Sequence, residues 1–152
     1  MTDIQEKMDV VETCRVCRIG LSDNGIPYVV PLNYGYSFEN DVLTLFFHSA
    51  LEGRKMEIIR RNNQVCFEMD CDTKMIEADS PCKHGYEFRS VIGFGKIIVL
   101  DSPDEKTEGL NLIMRHQTGK DTVYDFPAKQ IEKVCVYKLV TETLTGKRKL
   151  NL

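Results

Sequence analysis

Apolar positions along the 152-residue chain change period several times, and each change marks an element. Ile4, Met8 and Val11 recur at helical spacing over residues 3–12, with Thr2 or Asp3 in place to cap the first turn. From Val16 the period drops to two. VCRIGLS reads as a strand, and SDNG at 22–25 reads as a turn in which Gly25 takes positive φ. IPYVVPLNYGYSF follows as a second strand. Pro27 suits a strand start, whereas Pro31 in mid-strand implies an edge, a bulge or a ligand standing where a neighbour would. Asn40 and Asp41 then turn the chain into VLTLFF, a strand of buried type.

Residues 51–61 read as a helix with Leu51, Ile58 and Ile59 inward and Arg54, Glu57, Arg60 and Arg61 outward, stopped by Asn62 and Asn63. VCFEMD alternates as a strand, and the polar stretch 72–85 reads as a loop. YEFRSVIGFGKIIVL, residues 86–100, is a long strand in which Gly93 and Gly95 mark a bend. SPDEKTEGLNLIMRHQ opens with a capping Ser, a Pro at the first helical position and acids in the first turn, which predicts a helix. KVCVYKLVTETLTGK is the last strand. Six antiparallel strands with a few short helices predict a mainly β chain, a small barrel decorated by helices. No repeat or linker divides residues 1–152, so one domain is expected.

Composition narrows the function. Apolar residues make up 42% and charged residues 28%, an ordinary globular balance. A net charge of -3 argues against nucleic acid or an acidic membrane as the partner. No apolar run approaches the ~20 residues that span a bilayer. MTDIQEKMDVVET lacks the basic start and apolar core of a signal peptide, so a cytoplasmic setting is expected. Six cysteines raise the question of disulfides or metal. Cys66 and Cys135 sit among Val, Phe and Tyr, where a thiol acts as a small core hydrophobe. Cys14 and Cys17 form a CxxC, but Cys66, Cys71 and Cys82 do not supply the second pair that zinc wants. Reduced structural thiols and no metal are the expectation.

The chemistry concentrates in LFFHSALEGRK, residues 45–55, where a strand gives way to a helix. A helix N-terminus presents unpaired N–H groups and the positive end of a dipole, a ready anion site. Ser49 adds a hydroxyl, Arg54 and Lys55 add charge, and Gly53 permits close backbone approach. Phosphate binding is one reading. The other is a capping serine beside a solvated basic face, and local physics does not separate them.

A wider pattern does. CRIGLSDNGIPYVVPLNYGY, LTLFFHSALEGRKMEIIRRNNQVCFEMD, YEFRSVIGFGKI and a terminal TGKRK together resemble the pyridoxamine 5′-phosphate oxidase-like family, in its nitroimidazole-resistance-type branch. The resemblance covers nearly the whole chain and is weakest at 72–85 and 103–118. It implies a six-stranded split β-barrel homodimer with flavin mononucleotide (FMN) between protomers. On this chain it implies that Val30, Pro31, Leu32, Asn33 and Tyr34 lie along the isoalloxazine ring. His48, Ser49 and Lys55 would hold the 5′-phosphate, and Ser90 and Val91 would touch the flavin from one side. Tyr34, Tyr36 and Phe47 are ring-stacking candidates that suit the core equally well.

No acid or base stands out as catalytic. Flavin carries the hydride chemistry, leaving the protein to bind, orient and shield it. His84 in a polar loop and His116 near a helix end each have ordinary explanations, although His116 could reach a partner's pocket. The implied activity is an FMN-dependent reductase that passes electrons from a reduced nicotinamide or another donor to a small electron-poor acceptor, such as a nitroaromatic. The competing readings are a non-catalytic or heme-binding split barrel, with His48, His84 or His116 as axial ligand, and a pyridoxamine phosphate oxidase. TGKRK is a poor match to the basic substrate-phosphate motif that the oxidase would need. FAD in place of FMN also stays open.

Overall fold

The computed structural model describes residues 1–150. The elements in chain order are α1 (Ile4–Thr13), β1 (Val16–Asp23), β2 (Ile26–Asn33), β3 (Gly35–Glu39), β4 (Val42–Ala50), α2 (Arg54–Arg61), β5 (Gln64–Ile76), β6 (Gly85–Val99), α3 (Pro103–Thr118), α4 (Ala128–Ile131) and β7 (Val134–Lys149). The strands form one antiparallel sheet in the order β2-β1-β5-β6-β7-β4-β3. Its two edges, β2 and β3, are consecutive in sequence and joined by Tyr34 alone. A one-residue link between opposite edges is possible only if the sheet rolls until the edges meet. The result is a split barrel, open along that seam.

Among the described residues the strands number seven, not the six expected, because IPYVVPLNYGYSF divides at Tyr34. The cause is partner exchange: β2 pairs with β1, whereas β3 pairs with β4. Gly35 sits at the division because α3 packs directly on it. A Cβ there would stand 2.3 Å from the backbone nitrogen of Ile113. Pro31 is accommodated on an edge strand, as anticipated.

Both expected hairpin turns form. Asn24 and Gly25 turn β1 into β2 with φ of 50° and 84°, and Asn40 and Asp41 turn β3 into β4 with φ of 51° and 61°. Asp3 caps α1 by accepting from the Gln5 N–H, and Ser102 caps α3 by accepting from the Glu105 N–H. Two boundaries move. The strand expected to end at Asp70 continues to Ile76, past an irregularity between Cys71 and Lys74 where Asp72 takes φ 56° and accepts from Arg89 Nε at 2.5 Å. The loop therefore shrinks to 77–84, with a short turn at Pro81–Lys83. The helix expected from residue 51 begins at Arg54, and Leu51 is exposed rather than inward. The Gly93–Gly95 bend appears as a register shift between Phe94 and Gly95 against β7.

The inner face of the roll holds the main core. Ile19, Leu21, Leu45, Phe47, Phe67, Met69, Val91 and Leu139 meet Val10 and Val11 of α1 and Met56, Ile58 and Ile59 of α2. A smaller cluster of Phe46, Leu100, Ile113 and Val136 lies where α3 covers the outside of β4 and β7. Cys17 is fully buried, and Cys14 Sγ donates to the Asp70 carbonyl at 3.3 Å. Burial pushes the Cys14 thiol up to about 12, so it stays protonated and acts as an apolar group. No helix among the described residues is long and apolar enough to cross a membrane.

Candidate functional site

Strand parity decides what the candidate residues can do. On β4, Leu43, Leu45 and Phe47 face the core, so half-buried Ser49 shares their face and exposed His48 takes the other. The structure therefore separates His48 from Ser49. Phe47 and Tyr34 are fully buried, so neither ring offers a face to a ligand. The Tyr34 hydroxyl instead donates to the carbonyls of Val11 (2.5 Å) and Cys14 (3.0 Å), tying the barrel seam to the end of α1. The Phe47 ring stacks on Tyr137, with centroids 5.7 Å apart. On β6, Val91 is fully buried and Ser90 points outward, which parts that pair too.

β2 is the open edge of the sheet. Val30 and Leu32 pack inward, while Pro31 and Asn33 face out. The Asn33 amide donates to the Arg15 carbonyl at 3.0 Å and to Gln117 Oε1 at 3.2 Å. Being unpaired on its far side, β2 keeps main-chain groups free along the strand that the sequence singled out.

The turn between β4 and α2 supplies the positive end. Gly53 precedes α2 with φ 147°, and there is open space where a Cβ would stand. Among the described residues no side chain caps the helix, which leaves its first-turn N–H groups without a side-chain acceptor. Lys55 is half-buried and has no ion-pair partner among the described residues. Ser49 is not the cap: its hydroxyl donates to the neighbouring Ala50 carbonyl at 3.1 Å. Arg54 stacks over Tyr28 of β2, 4.3 Å from the ring centroid. That contact places the start of α2 against the open edge strand.

Two residues here escaped the sequence reading, Tyr28 and Tyr137, and Arg54, read there as added charge, also links α2 to β2. Tyr137 carried the clearest signal. It shares parity with Cys135 and Leu139 in VCVYKLV, which puts a hydroxyl inside an apolar wall.

His116 is held, not merely tolerated. Its Nε2–H donates to the Cys14 carbonyl at 2.8 Å, and its ring packs 4.7 Å from Tyr34 and edge-on at 5.2 Å from Tyr36. Burial lowers its pKa, outweighing the Cys14 carbonyl that favours the cation. His84 is exposed, its Nδ1 lying 3.0 Å from the Ser80 carbonyl.

A family model described as pyridoxamine 5′-phosphate oxidase matches residues 3–148. The chain belongs to this family. Within the pyridoxamine 5′-phosphate oxidase fold, it is 32% identical to a protein from Bacteroides thetaiotaomicron described as a 5-nitroimidazole antibiotic resistance protein. The TM-score is 0.83, over 96% of this chain and 84% of that one. The fold also matches the flavocytochrome Anf3 of Azotobacter vinelandii (TM-score 0.80, 20% identity, 99% of this chain and 69% of that one). A FAD- and heme-binding protein of Mycobacterium smegmatis matches at TM-score 0.85 and 15% identity, over 99% of this chain and 73% of that one. Comparison with curated proteins gives no match.

Proposed function

We propose that this chain is an FMN-binding oxidoreductase whose flavin lies along the open edge of β2 with its phosphate at the N-terminus of α2. One observation carries the reading. The Arg54–Tyr28 stack joins a helix start that no described side chain caps, flanked by a half-buried lysine with no ion-pair partner among the described residues, to the edge strand β2. The residues fit the group: Gly53 leaves room for an anion, Lys55 and the first-turn N–H groups bind it, and Ser49 adds a hydroxyl. Val30 to Tyr34 contribute through their backbone edge and the outward side chains of Pro31 and Asn33. When bound, flavin supplies electron and hydride transfer; the chain orients and shields it.

The proposal extends to a homodimer. Outward positions Val29, Gly20, Cys66 and Phe94 are opposite one another across β2, β1, β5 and β6, with Ile92 and Ser90 following on the same face of β6. Val29 is 61% exposed, Phe94 55% and Ile92 43%, an apolar band of the kind that partners cover. A second copy seated there would shield a flavin that one protomer leaves open to water. The substrate class proposed is a small electron-poor acceptor such as a nitroaromatic, supported by the likeness to the nitroimidazole-resistance protein. The setting proposed is the cytoplasm, consistent with six free cysteines.

The test is titration of FMN and riboflavin into the native protein and Lys55→Ala. Loss of one charge-assisted contact, roughly 1.5–3 kcal/mol, weakens FMN by about one to two decades and leaves riboflavin nearly unchanged. Equal weakening of both ligands would show that Lys55 does not read the phosphate. An absorption spectrum with a heme Soret band in place of flavin bands would replace the reading outright.

A further inference from the structure

The Tyr137 hydroxyl is buried and makes no hydrogen bond among the described residues. Buried hydroxyls are costly without a partner, so an orphan invites explanation. Tyr137 pairs with Phe47 across the β4–β7 ladder, and Ser49 pairs with Cys135. Ser49 and Tyr137 are thus diagonal neighbours on the inner face, within reach of a long side chain. Burial pushes the phenol up to about 12, and the Ser49 hydroxyl is the group that pulls it back. The two side chains thus share the inner face on neighbouring strands, with no hydrogen bond between them in the ligand-free geometry. Ser49 meanwhile donates its proton to the carbonyl of the next residue, a local contact that needs no tertiary partner.

We infer that Tyr137 is a positioning residue for the anion at the start of α2, acting through Ser49. Rotation of Ser49 about χ1 turns its O–H from the Ala50 carbonyl toward a bound phosphate. The same rotation offers the Ser49 oxygen to the Tyr137 O–H. The relay runs Tyr137 to Ser49 to phosphate, each hydroxyl donating once, and hydrogen bonds in such a chain strengthen one another. Phosphate binding then satisfies a hydroxyl that the free protein leaves orphaned. The inference rests on the phosphate reading above and adds to it a residue that never touches the ligand.

The consequence separates affinity from stability. Tyr137→Phe removes a hydroxyl with no partner, so the ligand-free protein should melt no lower than the native one. FMN should nevertheless bind roughly three- to tenfold more weakly, the worth of one neutral hydrogen bond. Riboflavin should be unaffected. In Ser49→Ala the relay is already cut, so adding Tyr137→Phe should cost FMN nothing further, a coupling that a double-mutant cycle reads directly. Unchanged FMN affinity in Tyr137→Phe, equal loss for riboflavin, or additive losses in the double variant would each overturn the relay. If the native protein does not prefer FMN to riboflavin, the phosphate reading fails and the relay falls with it. A preference for FMN that survives Tyr137→Phe intact sinks the relay alone.

Discussion

Replacing Tyr34 with Phe tests how the barrel seam is held. The Tyr34 hydroxyl is fully buried and divides its proton between the carbonyls of Val11, at 2.5 Å, and Cys14, at 3.0 Å. Both belong to the end of α1, where no following turn supplies N–H groups. The Cys14 carbonyl keeps a second donor, His116 Nε2 at 2.8 Å, but Val11 loses its side-chain partner. One carbonyl left unsatisfied in a buried setting costs about 2 kcal/mol, within the usual range of 1–3. In a chain of this size that corresponds to a fall in Tm of about 4–8 °C. Circular dichroism melts and urea unfolding read it, the urea midpoint moving with an unchanged slope. Tyr36→Phe is the control, because the half-buried Tyr36 makes no side-chain hydrogen bond among the described residues. A Tyr34→Phe protein melting within about 1 °C of native would refute the account.

Two further outcomes are expected beyond the flavin titrations. Phe94→Asp places a charge in the exposed band on β6 while leaving the inner core untouched; sedimentation should show native dimer becoming monomer, and a monomeric native protein would remove the basis for the interface. His116 is held neutral by burial, its pKa lowered from 6.5, so the unfolded chain takes up the proton first as pH falls. Its contribution to stability should be complete above about pH 6.5 and decline below, and His116→Gln should flatten that part of the profile. Urea unfolding near pH 7.5 and near pH 5.5 measures this, and an identical pH slope in the variant would exclude His116 as the cause.

The division at Tyr34 shows where sequence reading stops. Inward positions 28, 30, 32, 34, 36 and 38 keep one parity straight through it, because the chain passes from one edge of the roll to the other without changing face. Period two is all that a local pattern reports, and period two never breaks. What changes at Tyr34 is the hydrogen-bonding partner, from β1 to β4, and no local signal carries that. Gly35 is a trace of it, yet its cause is α3, far along the chain. Turns and caps, by contrast, were legible at Asn24–Gly25, Asn40–Asp41 and Ser102, since each depends on its own few residues. The start of α2 failed for the opposite reason. Leu51 fits the helical spacing of Ile58 and Ile59, but Gly53 breaks the backbone between them.

The same alternation, applied strictly, divides the candidate site in a way that motif resemblance does not. His48 and Ser49, like Ser90 and Val91, are neighbours in sequence and opposites in space. Ser49 shares the inner face with the orphaned Tyr137 hydroxyl and lies five residues before Arg54, where α2 starts without a side-chain cap among the described residues. Pro31, Asn33 and Ser90 share the outer face with the apolar band of Val29, Ile92 and Phe94. The ligand proposed to touch both sets would cross the open edge of β2, with its anionic end at α2 and its flat apolar part over the outer face. In a single protomer that part has wall on one side only. The polarity of the split, charge inside the turn and apolar surface outside it, is what an amphiphilic cofactor with a phosphate tail and a planar ring requires. It is also why the phosphate end is tested with one chain and the ring end with the oligomeric state.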